Sequence, residues 1–510
     1  MKYSKQFIVV ILGILLSTVE LSSQSPQTDS AINYWPTSTP EKQGFNSLEL
    51  AKLFDNVKDN NIDLNSIIII RNGHLILEAY LYPFQKNVIH DIASVTKSIT
   101  SLATGIAIDK GYIKSVNEPV LGFFSDRSVA HLNENKKALT IEHLLTMTSA
   151  LCRNFQEGEE QTVLMRQSGD CVQYFLDLPL VDTPGKKFVY SSLAPHILST
   201  IITRTTGMNL LEFTQKNLFQ PLGIKDVRWE AEQNGNTNGW GDLFIAPVDL
   251  AKIGYLVLND GIWEGNRVIS KEWIKRSSQP HVYEDSGTAY GYLWWLPLER
   301  LGLFEGRGRG GQRLIIWPQK NIIVILIGNG GYTLGDIGEY IARAFASDTS
   351  LPENPKAVKL LEQKINEASK APASKPVTTL PALAKTLSGK EYFLETNSLG
   401  LLSFTMVNGT GKEDTIKMSY EGVHTVLPVG LDDVYRISNT SKYNLPAGAK
   451  GSWTSENTFC FTYNEPSNDR LLQFQIEFKS NLVELKVSER TGLFGEITIK
   501  GRMRQSQGKN

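Results

Sequence analysis

The first long apolar stretches after the N-terminus form a pair. Ile67-Ile68-Ile69-Ile70 is free of charge until Arg71, and His74-Leu75-Ile76-Leu77 follows the dipeptide Asn72-Gly73. Asn-Gly between two apolar runs signals a two-residue hairpin, because both turn residues must accept positive φ. Two strands are therefore predicted there. Downstream, Ile99, Leu102, Ala103, Ile106 and Ala107 recur at the spacing of a buried helix, and Gly111 suits its end. A long section of helical periodicity follows. Strand patterns return at 290–296, 313–317 and 322–327, the last two joined by the turn cluster Pro318-Gln319-Lys320-Asn321. Strands early and late in the chain, with helices between, predict one sheet built from both ends of a domain. The expected class is α/β: a mixed sheet flanked by helices, with a helical insertion, spanning 30–350.

The pattern changes beyond this point. Residues 351–385 are rich in Pro, Ala, Lys and Ser and read as a linker, with a short helix around Leu360, Leu361 and Ile365. From 386 to 505 short alternating strands dominate, such as Leu472-Gln473-Phe474-Gln475-Ile476-Glu477-Phe478. Turn signals at Asn408-Gly409 and Thr491-Gly492 separate them. This predicts a C-terminal all-β domain, a small barrel or sandwich. It carries no catalytic constellation, and packing or shielding of an active site is its expected role.

Residues 1–24 read as a signal peptide. Lys2 and Lys5 precede an apolar core from Phe7 to Leu16, and small residues follow at Ser22 and Ser23. The alternative, an uncleaved anchor, is disfavoured by the short core and by the lack of a positive cluster after Leu16. The expected location is periplasmic or secreted, with no stable membrane span after cleavage.

Composition narrows the function classes. The 510 residues carry a net charge of -1, which argues against bulk attraction to nucleic acid or an anionic membrane. The three cysteines are Cys152, Cys171 and Cys460. Export permits a disulfide, and the polar stretch between Cys152 and Cys171 leaves both pairing and free thiols open. Cys460 is expected as a buried thiol in a strand. No Cys/His spacing resembles a zinc site, and neither a metal nor a cofactor is expected.

The candidate chemistry is Ser94-Val95-Thr96-Lys97. Residues three apart share a helix face, so the Lys97 amine is within reach of the Ser94 hydroxyl. A serine needs such a neighbouring base to act as a nucleophile. The tetrapeptide alone is weak, because a chain of this size holds roughly two by chance, and a second runs from Ser506 to Lys509 in the polar tail. Context separates them, since only the first joins a strand pair to a buried helix.

Ordered segments extend the signal. Ile92-Ala93-Ser94-Val95-Thr96-Lys97, Leu144-Leu145-Thr146-Met147-Thr148-Ser149, Pro184-Gly185-Lys186-Lys187-Phe188-Val189-Tyr190-Ser191-Ser192, Pro247-Val248-Asp249-Leu250-Ala251 and Gly308-Arg309-Gly310-Gly311-Gln312 follow one another in the chain. Together they resemble the serine hydrolases of the β-lactamase-related family. That family includes class C β-lactamases, D-alanyl-D-alanine peptidases, family VIII esterases and 6-aminohexanoate-dimer hydrolases. The resemblance covers roughly residues 35–345. It implies Ser94 as nucleophile, Lys97 and Tyr190 as a shared general base, and an oxyanion hole from the N–H groups of Ser94 and Gln312. Ser192, Arg309, Gly310 and Gly311 would border the substrate.

Physical chemistry fits a shared base. Lysine and tyrosine titrate near 10.4 and 10, and bringing either down by about three pH units costs about 4 kcal/mol. A cationic Lys97 that stabilises a Tyr190 phenolate divides that burden, and the protonation belongs to the pair.

Two positions depart from the family pattern. Ser192 stands where the family has asparagine, and Arg309 where it has lysine or histidine. Both weaken a β-lactamase or D-alanyl-D-alanine peptidase reading and favour an esterase or amidase acting on a small-molecule ester, amide or peptide. The competing class is a non-catalytic, penicillin-binding-like sensor. Trp294 and Trp295 are expected inside the sheet, and Arg307 and Arg313 on a solvated strand edge.

Overall fold

In the computed structural model, which describes residues 35–504 apart from 331–333, 378, 410, 421–422 and 491–494, Asn72 and Gly73 both take positive φ, 51° and 74°. They join Leu64–Arg71 to His74–Tyr80 as the expected hairpin. The candidate signal peptide, the Thr491-Gly492 turn and the second Ser-x-x-Lys segment lie outside the described residues.

The hairpin forms one edge of a sheet that mixes strands from both ends of the domain. From that edge the order is His74–Tyr80, Leu64–Arg71, Ile322–Gly328, Arg313–Trp317, Leu303–Arg307, Trp295–Leu298, Ala289–Tyr290 and Val282–Tyr283. Neighbouring strands run antiparallel. The Ile67–Ile70 run sits between two partners, with Ile69 opposite Val324 and Ile70 opposite Ile323. All of Leu64–Arg71 is buried, which is why the run lacks polar alternation.

The expected strand at 290–296 is broken. Leu293 takes a φ of 61°, and its N–H donates to Leu145 O at 3.0 Å. The strand Leu303–Arg307 was not expected, because Glu305, Gly306 and Arg307 erase its apolar alternation.

Helices cover both faces. On one, Ile67, Ile69, Leu77 and Val324 pack in a core with Leu50, Leu53 and Phe54 of Ser47–Asp59, Ile337 of Leu334–Ala344 and Leu361 of Pro355–Ala368. The helix Ser47–Asp59 was not read from the pattern, although Asn46 caps it through Leu48 N–H. On the other face lie Thr96–Asp109 and Pro247–Leu258. Gly254 lets the latter approach closely: a Cβ there would stand 2.9 Å from Leu314 Cδ1.

The chain divides at Ser369, with Thr37–Ser369 as one unit and Lys370–Asn510 within the other. The helix Pro355–Ala368 carries the first unit past the expected end at 350. Leu361 is buried against Ser47–Asp59, and Lys364 Nζ bonds Asp55 Oδ1 at 2.5 Å.

In the second unit nine strands close into a barrel among the described residues. Val423–Gly430 pairs with Glu413–Tyr420 on one side and meets Ala447–Trp453 at Gly430 and Lys450. The alternation in Arg470–Lys479 puts Leu472, Phe474, Ile476 and Phe478 inside. Phe461 and Phe474 stack there at 4.4 Å. Ala384 and Leu387 of the short helix Ala382–Leu387 join this core.

Cys152 and Cys171 are buried free thiols, and Cys460 is a half-buried one. Among the described residues no helix is long and apolar enough to cross a membrane.

Leu361→Ala is expected to cost the first unit about 2–4 kcal/mol, read as a lower denaturant midpoint. A change within about 0.5 kcal/mol would mean that this helix only lies on the surface.

Candidate active site

The nucleophile candidate sits on a strained corner. His90–Asp91 pairs with Leu243–Ile245 in a small sheet that also contains Val227–Trp229. Asp91 Oδ1 accepts from Ala93 N–H at 2.8 Å. Ala93 takes a φ of 46°, a conformation that costs an L-residue about 1–2 kcal/mol. The turn Ala93–Val95 then runs directly into the helix Thr96–Asp109, leaving Ser94 at its mouth.

The helix is buried from Thr96 to Ala107, so its polar side chains need partners. Ser98 Oγ donates to Leu293 O, and Thr100 Oγ1 to Gly239 O, both at 2.8 Å. Lys97 is only 2% exposed. Its Nζ donates to Ser94 Oγ at 2.8 Å and to Trp240 O at 2.8 Å. The ammonium also lies 5.0 Å from the centre of the Tyr190 ring.

Tyr190 is held from three sides. Val189 N–H donates to Met147 O and Gly185 N–H to Thr148 O, both at 2.9 Å, which gives the Leu144–Ser149 segment its structural role. Gly158 lets the helix Phe155–Gln167 pack on the Tyr190 backbone, since a Cβ there would meet Tyr190 O at 2.9 Å. The ring stacks on Trp295 at 5.7 Å and 26°, and Phe155 lies 6.1 Å away.

The third segment closes the site. A Cβ on Gly308 would meet Ile92 O at 2.6 Å and Ala93 Cβ at 3.1 Å; one on Gly306 would meet Ser98 Oγ at 3.0 Å. Only glycine lets this strand lie so close to the Ser94 segment. Gly310 and Gly311 then turn with φ of 77° and 93°. The Gln312 side chain points into the sheet, with Nε2 on Gly328 O at 2.6 Å and Oε1 accepting from Gly328 N–H at 3.0 Å. That leaves its backbone N–H as the candidate oxyanion donor. Arg309 is half-buried beside this turn, and Ser192 is buried at the start of Leu193–Thr206.

Other reactive side chains near the site are held neutral. Burial pushes the Cys152 and Cys171 thiols up to about 12. Burial, with Arg166 nearby, brings His196 down to about 3. Its ring packs on Trp240 at 4.7 Å, and neither ring nitrogen finds a partner among the described residues. Tyr290 is raised well above its ordinary value by burial and then by Tyr190. Among the described residues no group of three His, Cys, Asp or Glu side chains is placed to hold a metal ion.

Several contributors carried no sequence signal. Trp240 acts through a carbonyl, which leaves no side-chain signature. Asp91 acts on the backbone two residues away. Trp294 is fully buried as expected, but Trp295 is half-buried against Tyr190. Arg307 and Arg313 do not line a solvated edge, because both bind the buried Glu305.

The β-lactamase family profile matches residues 52–346. The chain belongs to this family. A 6-aminohexanoate-dimer hydrolase from Paenarthrobacter ureafaciens is 23% identical over 336 residues, 62% of this chain and 82% of that protein. A monacolin J acid methylbutanoyltransferase from Aspergillus terreus is 29% identical over 169 residues, 30% of this chain and 41% of that one. Among solved structures, a putative β-lactamase from Bacteroides dorei superposes with a TM-score of 0.50 at 16% identity, over 59% of this chain and 100% of that one. EstCE1, a hydrolase with promiscuous acyltransferase activity, does so at 0.50 and 15%, over 59% and 99%. These two likenesses show the fold. The named relatives are hydrolases or acyltransferases of this family.

Gly308→Ala is expected to push the strand off Ile92 and destabilise the unit by about 1–3 kcal/mol. Ester turnover should fall about tenfold or more, measured beside a thermal melt. Full activity in the alanine variant would refute close backbone approach as a requirement of the site.

Proposed function

We propose that the first unit is a serine acyl-transfer hydrolase that cleaves a small-molecule ester or amide through an acyl-enzyme on Ser94. The observation that carries this reading is the bond from buried Lys97 Nζ to Ser94 Oγ at 2.8 Å, with the Tyr190 ring against the same ammonium. A surface Ser–Lys pair would be solvated and would not need Trp240 O as a second acceptor.

In the first step Ser94 Oγ bonds to the substrate carbonyl carbon, and its proton passes to the Tyr190–Lys97 pair. The carbonyl oxygen becomes an oxyanion held by the N–H groups of Ser94 and Gln312. The bond to the leaving alcohol or amine then breaks, and the leaving group takes the proton. Water enters next and gives a proton to the same pair, and its oxygen bonds to the acyl carbon. The Ser94 ester breaks and Oγ regains its proton. An alcohol in place of water yields acyl transfer, the activity named for the Aspergillus terreus relative. Hydrolysis is the activity named for the Paenarthrobacter ureafaciens relative, which supports water as the acceptor in the second step. Ser192 and Arg309 support an esterase or amidase over a β-lactamase or peptidase. The N-terminal pattern supports export.

A fluorophosphonate probe is expected to label the wild-type protein, and short-chain p-nitrophenyl esters should turn over. Ser94→Ala should lose both. Tyr190→Phe should lower kcat by about 10²–10⁴, the usual worth of a general base. No labelling and no turnover in either protein would overturn the enzyme reading in favour of a binding protein, and labelling of Ser94→Ala at the wild-type rate would overturn Ser94 as the nucleophile. For export, the mature N-terminus sequenced from a secreted or periplasmic fraction should begin close after Ser23. Recovery with Met1 intact in the cytosol would refute it.

A further inference from the structure

Glu305 is fully buried on the strand Leu303–Arg307. A buried carboxylate without partners is costly. Its Oε1 accepts from Arg307 Nε and from Arg313 Nη1, the latter at 2.8 Å. Arg307 and Arg313 are directly opposed in the sheet register, where two like charges repel. The shared carboxylate is what lets them stand together.

Arg307 does more than neutralise Glu305. Its guanidinium lies 4.9 Å from the centre of the Trp295 ring. Trp295 is opposite Glu305 in the neighbouring strand, and it stacks on Tyr190 at 5.7 Å. Contacts therefore run without a gap from a buried carboxylate through Arg307 and Trp295 to Tyr190, and on to Lys97. A guanidinium prefers the face of an indole, and Glu305 removes its freedom to leave that face. Trp295 is half-buried; Tyr290 and Phe188 meet its ring edge-on at 4.9 and 5.8 Å, and Arg307 is the charged group that lies on it.

We infer that Arg307 is a positioning residue that, clamped by Glu305, locks the Trp295 ring and through it the orientation of Tyr190. This rests on Tyr190 sharing the general-base role. Arg307 touches no reacting atom in this scheme, so its removal slows the chemical step and leaves substrate binding alone. Arg313 still pairs Glu305 when Arg307 is replaced, which protects the fold. A lysine at 307 keeps the charge but loses the planar stack, so it restores only part of the effect.

The test uses the full chain, with p-nitrophenyl acetate turnover and the rate of fluorophosphonate labelling as readouts. Arg307→Gln should lower kcat about tenfold with KM within about twofold, and Arg307→Lys should recover about a third of wild-type kcat. In a Tyr190→Phe background, Arg307→Gln should change the labelling rate less than about twofold. If labelling there is too slow to follow, the split between kcat and KM decides. A raised KM with unchanged kcat would make Arg307 a substrate-binding residue and overturn the inference. So would an unchanged kcat in Arg307→Gln while Tyr190→Phe is severely impaired. An active Tyr190→Phe would instead bring down the general-base reading beneath it. If Arg307→Gln does not fold, Arg307→Met and Trp295→Phe carry the same comparison, and a kcat loss in neither overturns the inference.

Discussion

A buried ammonium has to be shared out, and the first unit is built around that requirement. Lys97 is almost wholly removed from water and donates to Ser94 Oγ and Trp240 O. Stripped of such acceptors, the charge would destabilise the helix that carries it. The neighbouring elements supply them. Thr100 Oγ1 pins Gly239 O and Ser199 Oγ pins Thr237 O, so the loop that offers Trp240 O is fixed from two helices. Trp229 Nε1 adds bonds to Asn238 O and Gly241 O. The same bonds that satisfy Lys97 hold Ser94 to one geometry, which is what a preorganised nucleophile needs.

Close backbone approach is the second constraint. Gly306 and Gly308 bring a strand against Ser98, Ile92 and Ala93 at distances where a Cβ would collide. The Gln312 side chain then ties that strand to Gly328. The side chain is spent on holding the backbone, and the backbone N–H, which the sequence reading singled out, is what remains. The aromatic contacts around Tyr190 work alike: Trp295 on one side and Phe155 on another limit where the phenol can stand.

The second unit obeys different rules. Strands such as Arg470–Lys479 and Leu482–Glu489 alternate, their apolar side chains fill the barrel, and a group of charges lies beside the closing strands. Arg436 binds Asp432, and Lys450 and Lys375 bind Asp433. Closure removes the exposed edges that an open sheet of such strands would present.

Local chemistry made much of this legible in the chain. Asn72-Gly73 named its turn, the apolar run before it named a central strand, and the period of Ile99 to Ala107 named the helix that follows Ser94. The alternation from Leu472 to Phe478 named a barrel strand. Each follows from preferences of neighbouring residues, and so survives without the fold. The helix Pro355–Ala368 was legible only as a short helix around Leu360, Leu361 and Ile365, and its place in the first unit is decided by Leu361 packing into that unit's core. Ser94, Lys97 and Tyr190 were legible as types at spacings. The carbonyl of Trp240, the clamp of Asp91 on Ala93, the turned Gln312 side chain and the Glu305–Arg307–Trp295 contacts were not. Those depend on which distant segments meet, and a backbone carbonyl or an arginine reads the same in sequence whether it faces water or completes a site.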